Sequence, residues 1–290
     1  MENILLSADQ LFQFVRTITQ AKQNQPCVSF GDYIENWFET FKKPNILPNT
    51  YKNIYGIYKR HIYPTFCALP LHQISATTIQ TFLNRFLEEN KNRTAEELRN
   101  IFNGVFTHAY NEGIISINPM KCVKIPKHYR ESGSALTLNE IKEFLSKIEE
   151  SPCKYAFLLI LYSGIRRGEL KTIQIEEDFL TVLTEKTHKG VPKKRRRIPI
   201  CDSLRKHIPL MKNEKYIYNA QYLSCEFKKI LPNHHLHDLR HTFTTRAIES
   251  GVNKAYVDYI TGHKSKDMTL GVYTHFDDDF GRKEIKKLDF

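Results

Sequence analysis

The sequence predicts a mainly α-helical protein with two domains, a bundle of four helices followed by a mainly helical domain with a small antiparallel β-sheet. Three observations predict this fold class. Apolar residues recur at helical spacing through most of the chain, and strand-like alternation is confined to residues 179–200. Residues 118–134 lack hydrophobic periodicity and are rich in Lys, Arg, Pro and Gly, as in an interdomain linker. A chain of 290 residues is long enough for two packed cores.

Residues 28–117 are expected to form the four-helix bundle, after an N-terminal extension at 1–27 that could hold one short helix. Pro64 is expected to end the second helix, because proline removes a backbone donor and clashes with the preceding turn. Thr94 and Glu97 form a capping-box signature that predicts the start of the fourth helix. Plausible serine caps precede the first and third helices, at Ser29 and Ser75.

The second domain is expected over residues 135–290, after the linker at 118–134. Thr137 and Glu140 form another capping box, and a later apolar run is typical of a buried helix that ends at Gly164. Alternation predicts two strands joined by a basic turn, and helical spacing predicts four more helices. The strands cover residues 179–184 and 197–200, and the helices cover 202–212, 219–230, 238–250 and 253–261.

Charge and cysteine content narrow the function classes. The formal net charge of +11 favours a polyanionic partner such as nucleic acid. Residues 1–118 carry 11 basic and 10 acidic residues, whereas the remainder carries 32 and 22, so the excess lies in the second domain. Six widely spaced cysteines without a C-x-x-C pair favour free thiols. Because no apolar run is long enough to span a bilayer, we expect a cytoplasmic protein.

Six residues in the second half of the chain stand in short patterns that together suit phosphodiester chemistry. Arginines can stabilise the charge on phosphorus, lysine and histidine can move protons, and tyrosine can attack phosphorus. Each pattern alone is weak, because an Arg three residues before a Glu is most often a solvated ion pair. Their order and spacing along one chain distinguish the set from chance occurrences of the single patterns. The residues are Arg166, Lys186, His237, Arg240, His263 and Tyr273, within SGIRRGEL, EKT, HDLRHT, TGH and YTH.

With these patterns the sequence resembles the tyrosine recombinase (phage integrase) family over residues 28–290, most strongly after residue 135. The resemblance implies a four-helix core-binding (SAM-like) domain that clamps DNA, followed by the catalytic domain. It also implies a site-specific recombinase that works through a 3′-phosphotyrosine without metal, ATP or other cofactor, in integration or excision of a mobile element. A tyrosine-type topoisomerase, which relaxes DNA without strand exchange, is the alternative.

The resemblance implies that Arg166 and Arg240 stabilise the negative charge on the five-coordinate phosphorus. Guanidinium groups suit this task, because they donate paired hydrogen bonds and stay charged at any relevant pH. Glu169 is expected to orient Arg166 rather than to react. Arg167 is left out of the site, because on a helix it would point in another direction.

The remaining site residues are expected to move protons or to attack. Tyr273 is the nucleophile, and His237 accepts or relays its proton, since a free phenol is mostly neutral at pH 7. His263 bonds a non-bridging oxygen or assists the relay. Lys186 is the general acid for the 5′-oxygen leaving group, with Lys189 as the fallback.

Two basic stretches are expected to contact DNA phosphates, which positions a protein on DNA without reading its sequence. One lies in the linker and the other in the turn and strand that follow Lys186. A solvated linker and a solvated hairpin tip are the alternatives. The residues are Lys121, Lys124, Lys127 and Arg130, and then Lys189, Lys193, Lys194, Arg195, Arg196 and Arg197.

The resemblance further implies a homotetramer on two double-stranded DNA sites, at the nucleoid of a bacterial or phage-encoded system, with accessory DNA-bending or excisionase partners. Residues 274–290 are too few to form a core, and the resemblance suggests that this tail packs on a neighbouring subunit. Packing on its own domain is the alternative. His237 and His241 also resemble half of a helical zinc site, but the glutamate of such sites is absent and no third ligand is marked.

Overall fold

The computed structural model describes residues 9, 12, 13, 28–126, 133–184, 190, 192–211, 216–262, 276–288 and 290. The chain divides into two compact units, Met1–Tyr129 and Arg130–Phe290. Both are mainly helical, and a three-stranded antiparallel sheet lies in the second. The predicted fold class is therefore confirmed. Among the described residues, no helix combines the length and the apolar character that crossing a membrane requires.

The N-terminal unit is a helical bundle around an aromatic core. Its helices are α1 (Phe30–Trp37), α2 (Pro48–Ile57), α3 (Tyr63–Phe66), α4 (Ala76–Glu88) and α5 (Asn92–Asn111). The ring of Phe66 lies 5.0 Å from that of Phe82, 5.0 Å from that of Phe102 and 6.1 Å from that of Phe30, measured between centroids. These rings come from four different helices, so their burial holds the bundle together.

Both predicted serine caps are present in this unit. The Ser29 hydroxyl accepts a hydrogen bond from the backbone N–H of Asp32 at 3.0 Å, and Ser75 accepts one from Thr78 at 3.1 Å. Each bond satisfies a backbone donor that the first turn of a helix leaves without an intrahelical partner. Each of these two caps uses a residue three positions further along the chain, so the local sequence was sufficient to predict both.

The prediction that Pro64 ends the second helix is wrong. A π-helical turn at Tyr58–Ile62 follows α2, and the chain continues through Pro64 to Phe66 as α3. Within this turn the N–H of Tyr63 reaches back to the carbonyl of Tyr58. The wider turn shifts the hydrogen-bond register just before the proline, so the missing N–H and the ring are accommodated.

The predicted capping box at Thr94 is also wrong. Asn90 adopts the left-handed conformation, with φ of 56°, and α5 begins two residues later at Asn92. Thr94 therefore lies inside the first turn of the helix. Glu97 pairs with Arg93 instead, with 3.1 Å between Oε1 and Nε.

The N-terminal unit extends into the segment predicted as a linker. Met120 and Val123 are buried in its core, and the side chain of Gln80 makes two 2.9 Å hydrogen bonds with the backbone N–H and C=O of Lys124. Residues 118–126 thus pack on the bundle, so the linker starts later than predicted. Of the predicted DNA contacts here, Lys127 and Arg130 lie outside the described residues.

The C-terminal unit packs helices around the sheet. The helices are α6 (Leu138–Lys147), α7 (Lys154–Ser163), α8 (Asp202–Arg205), α9 (Ile208–Met211), α10 (Ala220–Ile230), α11 (Leu236–Glu249), α12 (Lys254–Thr261) and α13 (Asp278–Ile285). The capping box of Thr137 and Glu140 is present at the start of α6. Every residue of α7 from Ala156 to Ser163 is buried, which explains its continuous apolar sequence.

The sheet has three strands, β1 (Gln174–Ile175), β2 (Phe179–Leu183) and β3 (Arg195–Pro199). β2 is central and antiparallel to both neighbours, with Leu180 opposite Ile198 and Leu183 opposite Arg195. The sequence predicted the two longer strands. β1 escaped prediction, because two residues are too few to show an alternating pattern.

The described part of the tail packs on its own unit. The ring of Tyr256 lies 5.1 Å from that of Phe276 and 5.6 Å from that of Phe280, and Ile285 of α13 is 3% exposed. The carboxylate of Glu284 also accepts the backbone N–H of Asn253 at 2.7 Å. Residues 276–288 and 290 thus pack on their own unit in the single chain, as in the alternative of packing in cis, and packing on a neighbouring subunit stays a prediction.

Candidate active site

Of the six predicted catalytic residues, the structure describes three, Arg166, His237 and Arg240, and these lie in the C-terminal unit. It also describes Glu169. The other predicted residues lie outside the described part of the chain, namely Lys186, Lys189, His263 and Tyr273.

Arg166 lies in a turn directly after α7. Gly164 ends the helix in the left-handed conformation, with φ of 63°, and a β-carbon there would collide with the ring of Phe243 on α11. Arg166 is therefore not in a helix, whereas a helix was expected at this position from the sequence. Arg167 does point elsewhere, with its Nη1 donating to the hydroxyl of Ser224 at 2.9 Å.

Glu169 holds Arg166 from two sides. Its Oε2 accepts the backbone N–H of Arg166 at 2.9 Å, and its Oε1 accepts Nη1 of the same residue at 3.2 Å. The Glu169 side chain is fully buried. Burial alone would raise the pKa of this carboxyl, but the charges of Arg196 and Arg166 outweigh burial and keep its pKa below the usual value. A buried carboxylate is thus available to orient Arg166.

Arg240, in the second turn of α11, is the largest fully buried side chain of the protein's described residues, with 1% exposure. Its Nη1 donates to the carbonyl of Gly164 at 2.5 Å, and its Nη2 donates to the carbonyl of Thr261 at 2.6 Å. Burial lowers the pKa of Arg240 to about 9, with a further contribution from the charge of Arg166. At neutral pH the group is still a cation, and its orientation is fixed by backbone carbonyls.

The turn at Thr261 and Gly262 joins the two arginines. Gly262 ends α12 in the left-handed conformation, with φ of 65°, and its carbonyl accepts Nη2 of Arg166 at 3.0 Å. Arg240 bonds the preceding carbonyl, that of Thr261. Consecutive carbonyls of one turn therefore hold the two guanidinium groups, and the next residue in the chain is His263.

Arg196 was predicted to contact DNA phosphate, and the structure contradicts this. It lies on β3, is 4% exposed, and donates from Nη2 to Oε2 of Glu169 at 2.7 Å. We call Arg166, Arg196 and Arg240 the buried arginine cluster, in which Arg196 and Arg240 are buried and Arg166 is partly buried. The signal for Arg196 was present in the sequence: Ile198 is two residues away, and residues i and i+2 of a strand share a face.

The other basic residues of this stretch lie at the surface. Lys193, Lys194 and Arg195 are exposed, whereas Arg197 is half-exposed, pairs with Glu176 and Asp278, and lies over the ring of Phe179. We call these four residues the outer basic edge. In the N-terminal unit, Lys121 and Lys124 are exposed, and the Nζ of Lys121 lies 5.2 Å from the ring centroid of Tyr110.

His237 is an exposed residue in the first turn of α11. Its ring lies edge-on to that of His241, with 4.8 Å between centroids. Desolvation of the imidazole, followed by the charges of His241, Arg240 and Arg166, lowers the pKa of His237 to about 4. The imidazole is therefore neutral near pH 7 and can accept a proton. Within the described ranges, no group of three or more His, Cys, Asp or Glu side chains could hold a metal ion, and His237 and His241 belong to none.

Two family models match the chain. Residues 30–125 match the phage integrase central domain, and residues 214–279 match the phage integrase family. A tyrosine recombinase XerC-like protein of Caldanaerobacter subterraneus subsp. tengcongensis is 25% identical, over 86% of this chain and 79% of the relative. A tyrosine recombinase of Thermosipho africanus is 24% identical, over 82% of this chain and 93% of the relative.

Solved structures share the fold. A lambda integrase tetramer bound to a Holliday junction superposes with a TM-score of 0.73 at 22% identity, covering 90% of this chain and 82% of that one. The Tn1549 transposon integrase in complex with circular intermediate DNA gives 0.64 at 19% identity, covering 89% and 99%. At this level of identity, the likeness concerns the fold.

Proposed function

This chain belongs to the phage integrase family of tyrosine recombinases, enzymes that cleave and rejoin DNA, and we propose that it exchanges strands through a 3′-phosphate bond to Tyr273. The observation that carries the proposal is the pair of guanidinium groups, Arg166 and Arg240, held by consecutive carbonyls directly before His263. Such an arrangement presents fixed positive charge to a phosphate without reorganisation during the reaction.

The chemistry begins when the Tyr273 oxygen attacks phosphorus. Negative charge then concentrates on the non-bridging oxygens, where Arg166 and Arg240 stabilise it. A guanidinium has five N–H donors, so each arginine retains donors beyond its carbonyl bonds. Arg166 is the more accessible of the two, with 16% of its side chain exposed. Arg240 contributes its charge from a site that excludes water, where electrostatic interactions are strong.

Proton transfers complete the step. Neutral His237 accepts the phenolic proton of Tyr273, His263 bonds a non-bridging oxygen or assists this transfer, and Lys186 protonates the departing 5′-oxygen, with Lys189 as the fallback. The products are a 3′-phosphotyrosine and a free 5′-hydroxyl. The phosphodiester energy stays in the covalent link, so a second 5′-hydroxyl can reverse the reaction without ATP or metal.

The partner is double-stranded DNA, which the core-binding domain clamps on one side and the catalytic domain cleaves. The lambda integrase neighbour is a tetramer on a Holliday junction, which supports a homotetramer that exchanges strands between two sites. The Tn1549 neighbour comes from a transposon, which supports integration or excision of a mobile element. Accessory DNA-bending or excisionase proteins would act with the tetramer at the nucleoid, in the cytoplasm.

Covalent trapping tests the proposal. Tagged protein is incubated with sheared genomic DNA of its source, the reaction is stopped with detergent, and DNA attached to the protein is captured and sequenced. We expect ends at a few discrete sites, each with a free 5′-hydroxyl. Tyr273→Phe should give no covalent product while DNA binding is retained, because only the attacking oxygen is lost. Tyr259→Phe, which removes a phenol from α12, is the control and should still react. Covalent product from Tyr273→Phe would refute the assignment.

A duplex containing one captured site then serves for kinetics, and a supercoiled plasmid that carries the same site serves for relaxation assays. Joining of strands between two such duplexes is expected of a recombinase. Relaxation of supercoils without any joined product would instead favour a topoisomerase.

A further inference from the structure

We infer that Arg196 is a positioning residue for strand cleavage, because it shares the carboxylate of Glu169 with Arg166 and so fixes the guanidinium of Arg166. The inference rests on the proposed function and adds a residue to it. Arg196 touches neither DNA nor the reacting atoms in this account, and it acts through Glu169.

The carboxylate of Glu169 accepts hydrogen bonds from both arginines. Oε2 of Glu169 accepts both Nη2 of Arg196 at 2.7 Å and the backbone N–H of Arg166 at 2.9 Å. Oε1 faces Nη1 of Arg166 at 3.2 Å. The shorter ion pair is therefore the one to Arg196, and the longer one is to Arg166. One carboxylate bridges two arginines, of which only Arg166 is within reach of solvent.

The ion pair between Glu169 and Arg196 is buried. The side chains of Glu169 and Arg196 are 0% and 5% exposed, so water cannot replace either partner. A buried carboxylate that loses one partner seeks compensation from the nearest remaining charge, because an unpaired buried charge is costly. For Glu169 that charge is Arg166. Without Arg196, the guanidinium of Arg166 would be drawn onto the carboxylate, and donors that face the phosphate would be lost.

Arg196 also packs against the turn at Gly262. A β-carbon at Gly262 would collide with Nη1 of Arg196 and would come within 3.3 Å of Nη1 of Arg166. Both guanidinium groups therefore lie against Gly262, whose carbonyl accepts Nη2 of Arg166. Arg196 fills space beside the turn as well as supplying charge. Lysine would retain the charge but not the planar group.

The flanking residues show that Arg196 differs from its neighbours. Arg195 and Arg197 flank Arg196 on β3 and are exposed, so they can contact DNA or acidic side chains. Arg195→Met therefore removes the same charge from the same strand without touching Glu169. It is the matched control for Arg196→Met.

The experiment measures single-turnover cleavage of a duplex with a captured site, DNA affinity at several salt concentrations, and the melting temperature of each variant. We expect Arg196→Met to slow cleavage by about 10²-fold with DNA affinity and its salt dependence unchanged, since small misplacement of a catalytic group has effects of this size. Arg196→Lys should recover part of the rate. Arg195→Met should bind DNA more weakly and with a smaller salt dependence, whereas Arg205→Met, which breaks an exposed ion pair with Asp178, should cleave at the wild-type rate.

A double variant separates positioning from loss of folding. Glu169→Gln with Arg196→Met removes the buried carboxylate and its buried partner together, and leaves Arg166, whose side chain is 16% exposed, without its ion pair. If Arg196 acts through Glu169, the double variant should be no slower than the slower single variant. Fully multiplicative rate effects would overturn the inference, and Arg196→Lys replaces Arg196→Met in this comparison if Arg196→Met fails to fold.

Other outcomes are equally decisive. If Arg196→Met matched Arg195→Met in cleavage rate and in weakened binding, Arg196 would be a phosphate contact and the inference would be wrong, while the proposed function would stand. If neither the wild type nor Arg205→Met formed covalent product, the proposed function itself would fail and the inference with it.

Discussion

The buried arginine cluster and the outer basic edge differ in what compensates their charge, although Arg195, Arg196 and Arg197 are consecutive residues. Arg240 is bound by backbone carbonyls, and Arg196 by a carboxylate that water does not reach. Arg195 is exposed, and Arg197 shares solvent-accessible carboxylates. A run of basic residues that looks uniform in sequence is thus divided by the alternation of a single strand.

The two regions are expected to use their positive charge in different ways. Fixed, desolvated guanidinium groups stabilise charge that develops in a transition state, so they should govern the rate. Mobile, solvated charges replace counterions along a DNA backbone, so they should govern affinity and its salt dependence. Substitutions in the two regions should therefore affect different measurements.

The largest effect is expected for Arg166→Ala and Arg240→Ala. Each should lower the rate of covalent cleavage by about 10²-fold or more, because a group that stabilises the transition state is lost. Single-turnover assays at saturating protein measure this directly. Arg205→Met, which breaks an exposed ion pair with Asp178, is the control and should leave that rate unchanged. A near-wild-type rate for Arg166→Ala or Arg240→Ala would mean that the wrong arginine was assigned to stabilise the transition state.

The next largest effect is expected on stability, in the tail, whose Asp278 on α13 pairs with Arg197 of the outer basic edge. Ile285→Ala should destabilise the protein by about 2–5 kcal/mol, since a buried side chain is truncated. Chemical unfolding without DNA measures the loss. If the tail packs within its own chain, the loss is the same at all protein concentrations. A loss that depends on concentration would indicate packing between subunits.

A third test uses His237, which borders the buried arginine cluster. Its pKa is expected near 4, below the ordinary value of about 6.5, because of desolvation and the charges around it. The ring should therefore stay neutral as the pH falls through 6.5 and gain its proton only near pH 4. NMR titration of the imidazole, assigned with His237→Gln, measures this. His241→Asn should raise the pKa, and a midpoint of 6.5 in the unsubstituted protein would contradict the electrostatic account.

The smallest effect is expected on the outer basic edge. Arg195→Gln should lower the slope of log affinity against log salt by about 1, as expected when one phosphate contact is lost. Arg197→Gln should change the slope less, because Glu176 and Asp278 already compensate that guanidinium. Equal changes for both variants would show that these ion pairs do not survive DNA binding.

Local features of the fold could be predicted from the sequence, and features set by tertiary contacts could not. The caps at Ser29, Ser75 and Thr137 use neighbouring residues only, and all three are present. The helix continues through Pro64 because of a π-helical turn, and no pattern in the sequence predicts that turn. Strand β1 exists because β2 is there to pair with it.

The candidate site shows the same division. Arg166, Glu169 and Arg240 were identified from their motifs, and the structure brings them together in one buried site. Arg196 was placed with the surface residues, because its charge was considered without the register of β3. Arg196 is opposite Val182 on β2, and this register places Arg196 on the same buried face of β3 as Ile198. A charged residue two positions from a core isoleucine on a strand is a signal for a buried ion pair.

The measurement that tests the central claim most directly is identification of the atom that carries the DNA. Covalent complexes are formed in the presence of excess chelator, the DNA and protein are digested, and the modified peptide is sequenced by mass spectrometry. The account predicts a 3′-phosphate attached to the oxygen of Tyr273, formed as efficiently with chelator as without it, because arginine and lysine supply the positive charge. Attachment to another residue, attachment through a 5′-phosphate, or a requirement for a divalent metal would contradict it.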